Sequence, residues 1–272
     1  MILAFDVGNT ETTAALFDGD AVRSHWRFTT SLPRTSDEFV LLLRSFLAAD
    51  GLGPDDVDGA AICSVVPPVT QPLARACQDC FEVAPRIIDA RAHLPIRLEV
   101  DEPFTVGADR IANTLAASRL FKRDAIVVDL GTATTYDCIT ADGAFIGGII
   151  QPGVLSSAET LFRRTSQLSA TEIIPPRRVI GTRTDECIRS GVLYGAADAI
   201  EGLVARIKQE WRVKSPLVIA TGGLAETFRP WCPSFEKVDP FLTLKGVLIG
   251  YRLLEGVADY QADGVQSTVA RR

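Results

Sequence analysis

Apolar residues in this chain fall into short runs and short alternations, separated by turn-forming residues. Ile2-Leu3-Ala4-Phe5 is a continuous apolar run that ends at Asp6, and Thr12 to Phe17 is a second strand-like run, so 2–7 and 12–17 read as a hairpin. Val22 to Phe28 alternates as a third strand. From Ser36 to Ala49 the spacing becomes helical, with Phe39, Leu42, Leu43, Phe46 and Leu47 on one face and Ser36 in the N-cap position. Ala60 to Val66 reads as a buried strand stopped by Pro67-Pro68, and 70–81 as a second helix. The order is β-β-β-α-β-α.

The second half repeats that order. Residues 125–130, 133–140 and 143–150 predict three strands, followed by helices from Val154 to Gln167 and from Thr184 to Trp211. Leu217 to Thr221 is a strand running into Gly222-Gly223, and Leu242 to Gly256 is a last helix. Ala258 to Arg272 is polar, lacks a core pattern and reads as a frayed tail. Self-similarity over half a chain predicts a duplicated α/β domain.

One chemical feature is duplicated with it. Asp6-Val7-Gly8-Asn9-Thr10 follows the first strand, and Asp129-Leu130-Gly131-Thr132 follows Ala125-Ile126-Val127-Val128. A carboxylate can hold a metal, glycine lets backbone approach a phosphate, and hydroxyls and amide N–H groups bind its oxygens. Two such turns in matching contexts point to a nucleotide between the halves. An ordinary hairpin turn remains the plain alternative for either copy alone.

Bulk properties narrow the classes. At 272 residues, with 47% hydrophobic and 23% charged residues, the chain reads as globular with room for two cores. A net charge of −6 offers no basic surplus for nucleic acid. No stretch approaches the roughly 18 apolar residues of a membrane span, and Met1-Ile2-Leu3-Ala4-Phe5 lacks the basic start of a signal peptide. These features predict a cytoplasmic protein without membrane or nucleic-acid partners. Cys63, Cys77, Cys80, Cys138, Cys187 and Cys232 are expected as free thiols, and Cys77-Gln78-Asp79-Cys80 as two helical cysteines rather than half a zinc site.

The arrangement resembles the fold of sugar kinases and actin. Val106-Gly107-Ala108-Asp109-Arg110-Ile111-Ala112-Asn113, Gly147-Gly148-Ile149-Ile150-Gln151-Pro152-Gly153, Gly181-Thr182-Arg183-Thr184 and Ser190-Gly191-Val192-Leu193-Tyr194-Gly195 make it more specific. With the two Asp-Gly turns, and in this order from residue 2 to about 256, they resemble type III pantothenate kinase. That family phosphorylates the primary hydroxyl of pantothenate in the first step of coenzyme A synthesis.

The resemblance implies two actin-like (ribonuclease H-like) β-β-β-α-β-α domains, 1–116 and 117–257, with an ATP cleft between them and 258–272 as tail. It implies that Asp6, Val7, Gly8, Asn9, Thr10, Glu11, Thr12 and Thr13 form the first phosphate loop, with Asp6 linked to Mg²⁺ directly or through water, and that Thr132 binds ATP. It assigns Asp129 to a monovalent cation, K⁺ or NH₄⁺, although the residues alone do not separate K⁺ from Mg²⁺ there. Gly107, Ala108, Asp109 and Arg110 would bind pantothenate, with Asp109 as general base and Arg110 on a carboxylate or phosphate oxygen. Thr184 could cap the helix that follows it; by resemblance it reaches pantothenate across the interface of a homodimer with composite sites. Gly222-Gly223 resembles the adenosine-side loop.

Two departures stand out. Val100 takes the place of a tyrosine usual in the family, and Gln167-Leu168-Ser169 replaces a common Lys-Leu-Pro. Val100 keeps a same-fold kinase for another small hydroxy compound in view. A non-catalytic ATP-binding regulator is the alternative from another class, and the presence of Asp6, Asp109, Asp129 and Thr184 speaks against it.

Overall fold

The structure is a computed structural model that describes residues 1–30, 33–165 and 171–256. Strands β1 (Ile2–Val7), β2 (Glu11–Asp18) and β3 (Ala21–Thr29) lead into α1 (Ser36–Ala49), β4 (Gly59–Ser64), α2 (Pro67–Phe81), β5 (Arg86–Ile88) and β6 (Arg97–Leu98). Helix α3 (Ala108–Phe121) crosses to β7 (Ala125–Leu130), β8 (Ala133–Ile139) and β9 (Ala144–Pro152). Then come α4 (Val154–Arg164), α5 (Thr184–Trp211), β10 (Leu217–Thr221), α6 (Ala225–Phe228), β11 (Lys237–Val238) and α7 (Leu242–Leu254).

The strands form two sheets, β3-β2-β1-β4-β5 and β11-β10-β7-β8-β9-β6. Taken from β9, the second sheet runs β9-β8-β7-β10-β11, the order of the first, with β6 added at the β9 edge. The pairing senses repeat as well. β1 is antiparallel to β2 and parallel to β4; β7 is antiparallel to β8 and parallel to β10. The α/β class and the duplication expected from sequence are both present. An expected boundary at 116–117 falls inside α3.

Helices α1 and α2 cover one face of the first sheet, where Leu3, Phe5, Val7 and Leu16 meet Phe39, Leu43 and Leu73. The opposite face packs on α3 and α7 through Ala4, Ala15, Ala61, Cys63, Ile111, Leu115, Val247 and Leu248. The second sheet does the mirror of this. Val127, Ile219 and Phe145 meet Ala116 and Ala117 of α3, while Val128, Val218 and Ala220 face Ile200 and Val204 of α5. Helices α3 and α7 therefore lie between the sheets. They pack closely, because Gly246 has no Cβ; one there would stand 1.9 Å from Ala112 O.

Three local expectations need correction. Thr35, not Ser36, caps α1: its hydroxyl accepts from Glu38 N–H while Glu38 accepts from Thr35 N–H, the reciprocal capping box. Helix α2 begins at Pro67 rather than residue 70, since proline is tolerated in the first turn of a helix, where its missing N–H costs nothing. Arg183 occupies the N-cap of α5, so Thr184 is its first helical residue and makes no capping hydrogen bond. The end expected for α4 at Gln167, the Gln167-Leu168-Ser169 departure and the expected tail lie outside the described residues. All six cysteines are free, and Cys77 and Cys80 are buried in α2.

Candidate active site

Alternation along a strand places residues two apart on one face. Ala4 and Ala61 of β1 and β4 face α3 and α7, so Asp6 and its register partner Cys63 face that way too. Val127 and Ile219 face the same helices from the other side, and so do Asp129 and its partner Thr221. Each sheet thus directs one strand-end aspartate towards the N-terminal part of α3.

The two turns resemble each other in detail. Gly8 N–H donates to Glu11 O and Gly131 N–H to Ala133 O, both at 3.1 Å. The second turn is one residue shorter, since Val7 pairs with Thr12 but Leu130 with Thr134. The turns meet: Thr132 Oγ1 donates to Thr10 Oγ1 at 3.1 Å. Asn9, Thr10, Glu11 and Thr132 are exposed there, whereas Val7 and Thr12 are buried, with the Thr12 hydroxyl 2.8 Å from that of Thr30. Only the backbone of Val7 and Thr12 is left to face a ligand. Ser156 at the start of α4 donates to Thr132 O at 2.7 Å and braces the second turn.

Asp109 lies in the first turn of α3, where the helix dipole favours an anion. Its Oδ1 accepts from Arg110 N–H at 2.9 Å and folds back over Gly107, where a Cβ would stand 2.4 Å away. A side chain at 107 would displace the Asp109 carboxylate from this position. Arg110 turns towards the second sheet. Its Nε donates to Asp137 Oδ1 at 2.5 Å, Nη2 donates to Tyr136 O at 3.3 Å, and the guanidinium lies 4.8 Å from the Phe145 ring centre. A Cβ at Gly148 would stand 2.5 Å from Arg110 Nη2. Nη1 has no hydrogen-bond partner among the described residues, so one edge of the fork is left for an anionic group.

Sequence reasoning missed the layer beneath. Asn113 is fully buried; its amide donates to Asp137 Oδ2 at 3.3 Å and to Asp129 Oδ2 at 3.5 Å, and its carbonyl accepts from Thr243 at 2.9 Å. The available signal was Asp137 itself, a charged residue within the buried strand β8.

Charge is crowded here. Burial pushes Asp6 well above the usual carboxylate range, and Asp129 and Asp109 push it further. Burial, then Asp109 and Asp137, raise Asp129 to about 7 against the Asn113 hydrogen bond. Burial raises Asp109, opposed by Arg110. Burial also raises Asp137, opposed by the charge and hydrogen bond of Arg110. Four carboxylates share one guanidinium, a balance that calls for cations.

The sequence model of the type III pantothenate kinase family matches residues 2–206. The chain belongs to the type III pantothenate kinase family. It is 42% identical over 253 residues to the type III pantothenate kinase of Roseiflexus sp. (strain RS-1), covering 93% of this chain and 99% of that one. It is 41% identical over 252 residues to that of Halalkalibacterium halodurans, again covering 93% and 99%. Among solved structures it is similar to a protein described as a Baf family transcriptional activator from Campylobacter jejuni (TM-score 0.59, 17% identity, 93% of this chain and 99% of that one). A ROK hexokinase from Thermus thermophilus gives TM-score 0.51 at 12% identity, covering 94% and 99%. At those identities the structures speak for the fold alone.

Members of this pantothenate kinase family use ATP and a divalent metal. Among the described residues no three of His, Cys, Asp and Glu are grouped to hold a metal by themselves. An ion at Asp6 or Asp129 would complete its shell with phosphate, hydroxyl, backbone or water oxygens, which suits hard cations. Val100 packs against the cluster of Ala116, Val127 and Phe145. Gly222 has φ +87° and a Cβ there would stand 2.5 Å from Asp129 Oδ1, so the glycine pair after β10 touches the second turn. Thr184 is exposed and lines a groove of about 640 Å³ between α4 and α5, with Gln151, Val154, Leu161 and Ile188. Among the described residues no helix is long and apolar enough to cross a membrane.

Proposed function

We infer that the chain transfers the γ-phosphoryl group of ATP to the primary hydroxyl of pantothenate, with Asp109 accepting the hydroxyl proton. The observation that carries this reading is the meeting of the two Asp-Gly turns, hydroxyl to hydroxyl, with both aspartates directed towards the Asp109 end of α3. In-line phosphoryl transfer needs a held phosphate, a positioned nucleophile and compensated charge rather than covalent chemistry on the protein.

In this reading residues 6–13 and Thr132 bind the ATP phosphates, and the Gly222-Gly223 turn passes the adenosine side. Gly107 to Arg110 hold pantothenate, with the open Nη1 edge of Arg110 meeting its carboxylate. Burial raises the pKa of Asp109, which makes it a better proton acceptor than an ordinary carboxylate. Asp6 would hold Mg²⁺ with the ATP phosphates and Asp129 a monovalent cation, K⁺ or NH₄⁺, both supplying positive charge to the transferring group. The halves 1–116 and 117–257 act as lobes about α3 and α7.

The α4–α5 groove supports a homodimer. Ile150 and Leu155 are 64% and 55% exposed beside it, and Thr184, freed from capping, would reach the partner's pantothenate site. A cytoplasmic setting fits the six free thiols. Sedimentation at micromolar concentration should give twice the chain mass; a monomer with full activity would remove the composite site.

The deciding experiment is a coupled ADP-release assay with pantothenate, with and without K⁺. Wild type should release ADP only with pantothenate present, and Asp109→Asn should fold normally but turn over at least about 100-fold more slowly. Near-wild-type turnover in Asp109→Asn would remove the base assignment.

A further inference from the structure

One buried polar atom near the site has no use in this scheme. Thr221 ends β10 and is fully buried, yet its hydroxyl has no hydrogen-bond partner among the described residues. Burying a hydroxyl without a partner is unfavourable, because its bonds to water are lost and not replaced. In the parallel register Thr221 sits beside Asp129, on the face that points to α3 and α7. Neighbouring strands are only about 4.8 Å apart, so the two side chains flank a common space. Asp129 accepts from Asn113 through Oδ2. Its Oδ1 receives no hydrogen bond among the described residues and lies against Gly222, the residue that follows Thr221.

A carboxylate and a hydroxyl therefore lie at paired positions of neighbouring strands, on one face, with no hydrogen bond between them. A hard cation satisfies two such oxygens at once, and a hydroxyl is the neutral oxygen ligand that a singly charged ion takes alongside one carboxylate. The other two orphaned hydroxyls, Thr134 and Tyr136, belong to the opposite face of β8, away from the carboxylates. We propose that Thr221 Oγ1 is a ligand, together with Asp129, of the monovalent cation. The proposal rests on the reading of Asp129 as the cation carboxylate.

The test is a K⁺ titration of melting temperature at constant ionic strength, with choline as the inert replacement, on Thr221→Val, Thr221→Ser, Tyr136→Phe and Asp129→Asn. Valine keeps the shape and removes only the oxygen, so Thr221→Val without K⁺ should melt at or above wild type. Its half-saturating K⁺ should rise at least about tenfold, the loss expected for one oxygen ligand worth about 1.4 kcal/mol. Thr221→Ser should stay near wild type, Tyr136→Phe should match it, and Asp129→Asn should show no K⁺ response. A Thr221→Val titration that overlays wild type while Asp129→Asn is silent overturns the proposal and leaves the Asp129 reading standing. A Thr221→Val protein that melts well below wild type without K⁺ also overturns it, because the hydroxyl then has a protein partner. A K⁺ response that survives in Asp129→Asn, or is missing in wild type, overturns the Asp129 reading and this one with it.

Discussion

The turn after β1 and the turn after β7 are one device built twice, and they differ where chemistry requires it. Both follow a buried strand, both close with a glycine N–H bond, and both direct an aspartate to the α3–α7 layer. The neighbour across the parallel strand differs: Cys63 beside Asp6, Thr221 beside Asp129. Asn113 donates to Asp129, and no described residue donates to Asp6. Oxygen ligands suit a hard cation and a thiol does not. Duplication supplies a symmetric frame, and the residues around each aspartate make the two carboxylates unequal.

The sharpest way to break this comparison is to neutralise each aspartate in turn. Asp6→Asn should lower turnover at least about 100-fold at every K⁺ concentration, on the scale of a lost electrostatic contact to the transferring phosphoryl group. Asp129→Asn should lower turnover less and should abolish its dependence on K⁺. Equal losses, with the same K⁺ dependence in both variants, would mean that the two turns share one job.

A pH series on cation-free protein tests the electrostatics. Unfolded Asp129 ionises near pH 4, while in the fold it keeps its proton to about 7. Between those values the folded state holds more protons, so stability falls as pH rises from about 4 to about 7 and then levels off. The three-unit gap sets an upper limit of about 4 kcal/mol. Melting temperature against pH should show this decline, and Asp129→Asn should flatten part of it. A slope unchanged by the substitution would place the raised group elsewhere.

Much of this asymmetry is beyond the reach of sequence. The strands β1, β2, β7 and β8 were legible because apolar runs end at Asp-Gly turns, and the duplication because the pattern recurs. β6 and β11 were not legible, since two residues carry no period. Thr35 and Ser36 are adjacent hydroxyls, and only the three-residue spacing to Glu38 selects Thr35. Asp6, Asp109 and Asp129 stood out as candidates through their motifs. Asn113 and Thr221 have no local signal, and Asp137 has only its charge within a buried strand; they matter because α3, β8 and β10 converge.

Alanine at a glycine beside each aspartate is a milder probe. At Gly222 a Cβ meets Asp129 Oδ1 at 2.5 Å and Leu130 backbone atoms at 2.7 Å, on a φ of +87°. At Gly8 the nearest atom is Glu11 O at 3.0 Å. Gly222→Ala should lose about 2–3 kcal/mol in chemical unfolding and Gly8→Ala about 1 or less. The reverse order would show that the glycine after β10 is not held tightly against Asp129 and Leu130.

The smallest effect on turnover is expected at Cys63. Burial and the charge of Asp6 push its thiol well above the usual range, so it stays neutral and gives the first turn neither a charge nor a cation ligand. Cys63→Ala removes one buried atom and should cost about 1–2 kcal/mol of stability through the small void. Turnover and its K⁺ dependence should stay within about twofold, because nothing that touches ATP is removed. The mirror substitution Thr221→Ala should shift the K⁺ dependence. If Cys63→Ala shifts it equally, the sulfur–oxygen difference between the turns is incidental and the asymmetry must come from Asn113 alone.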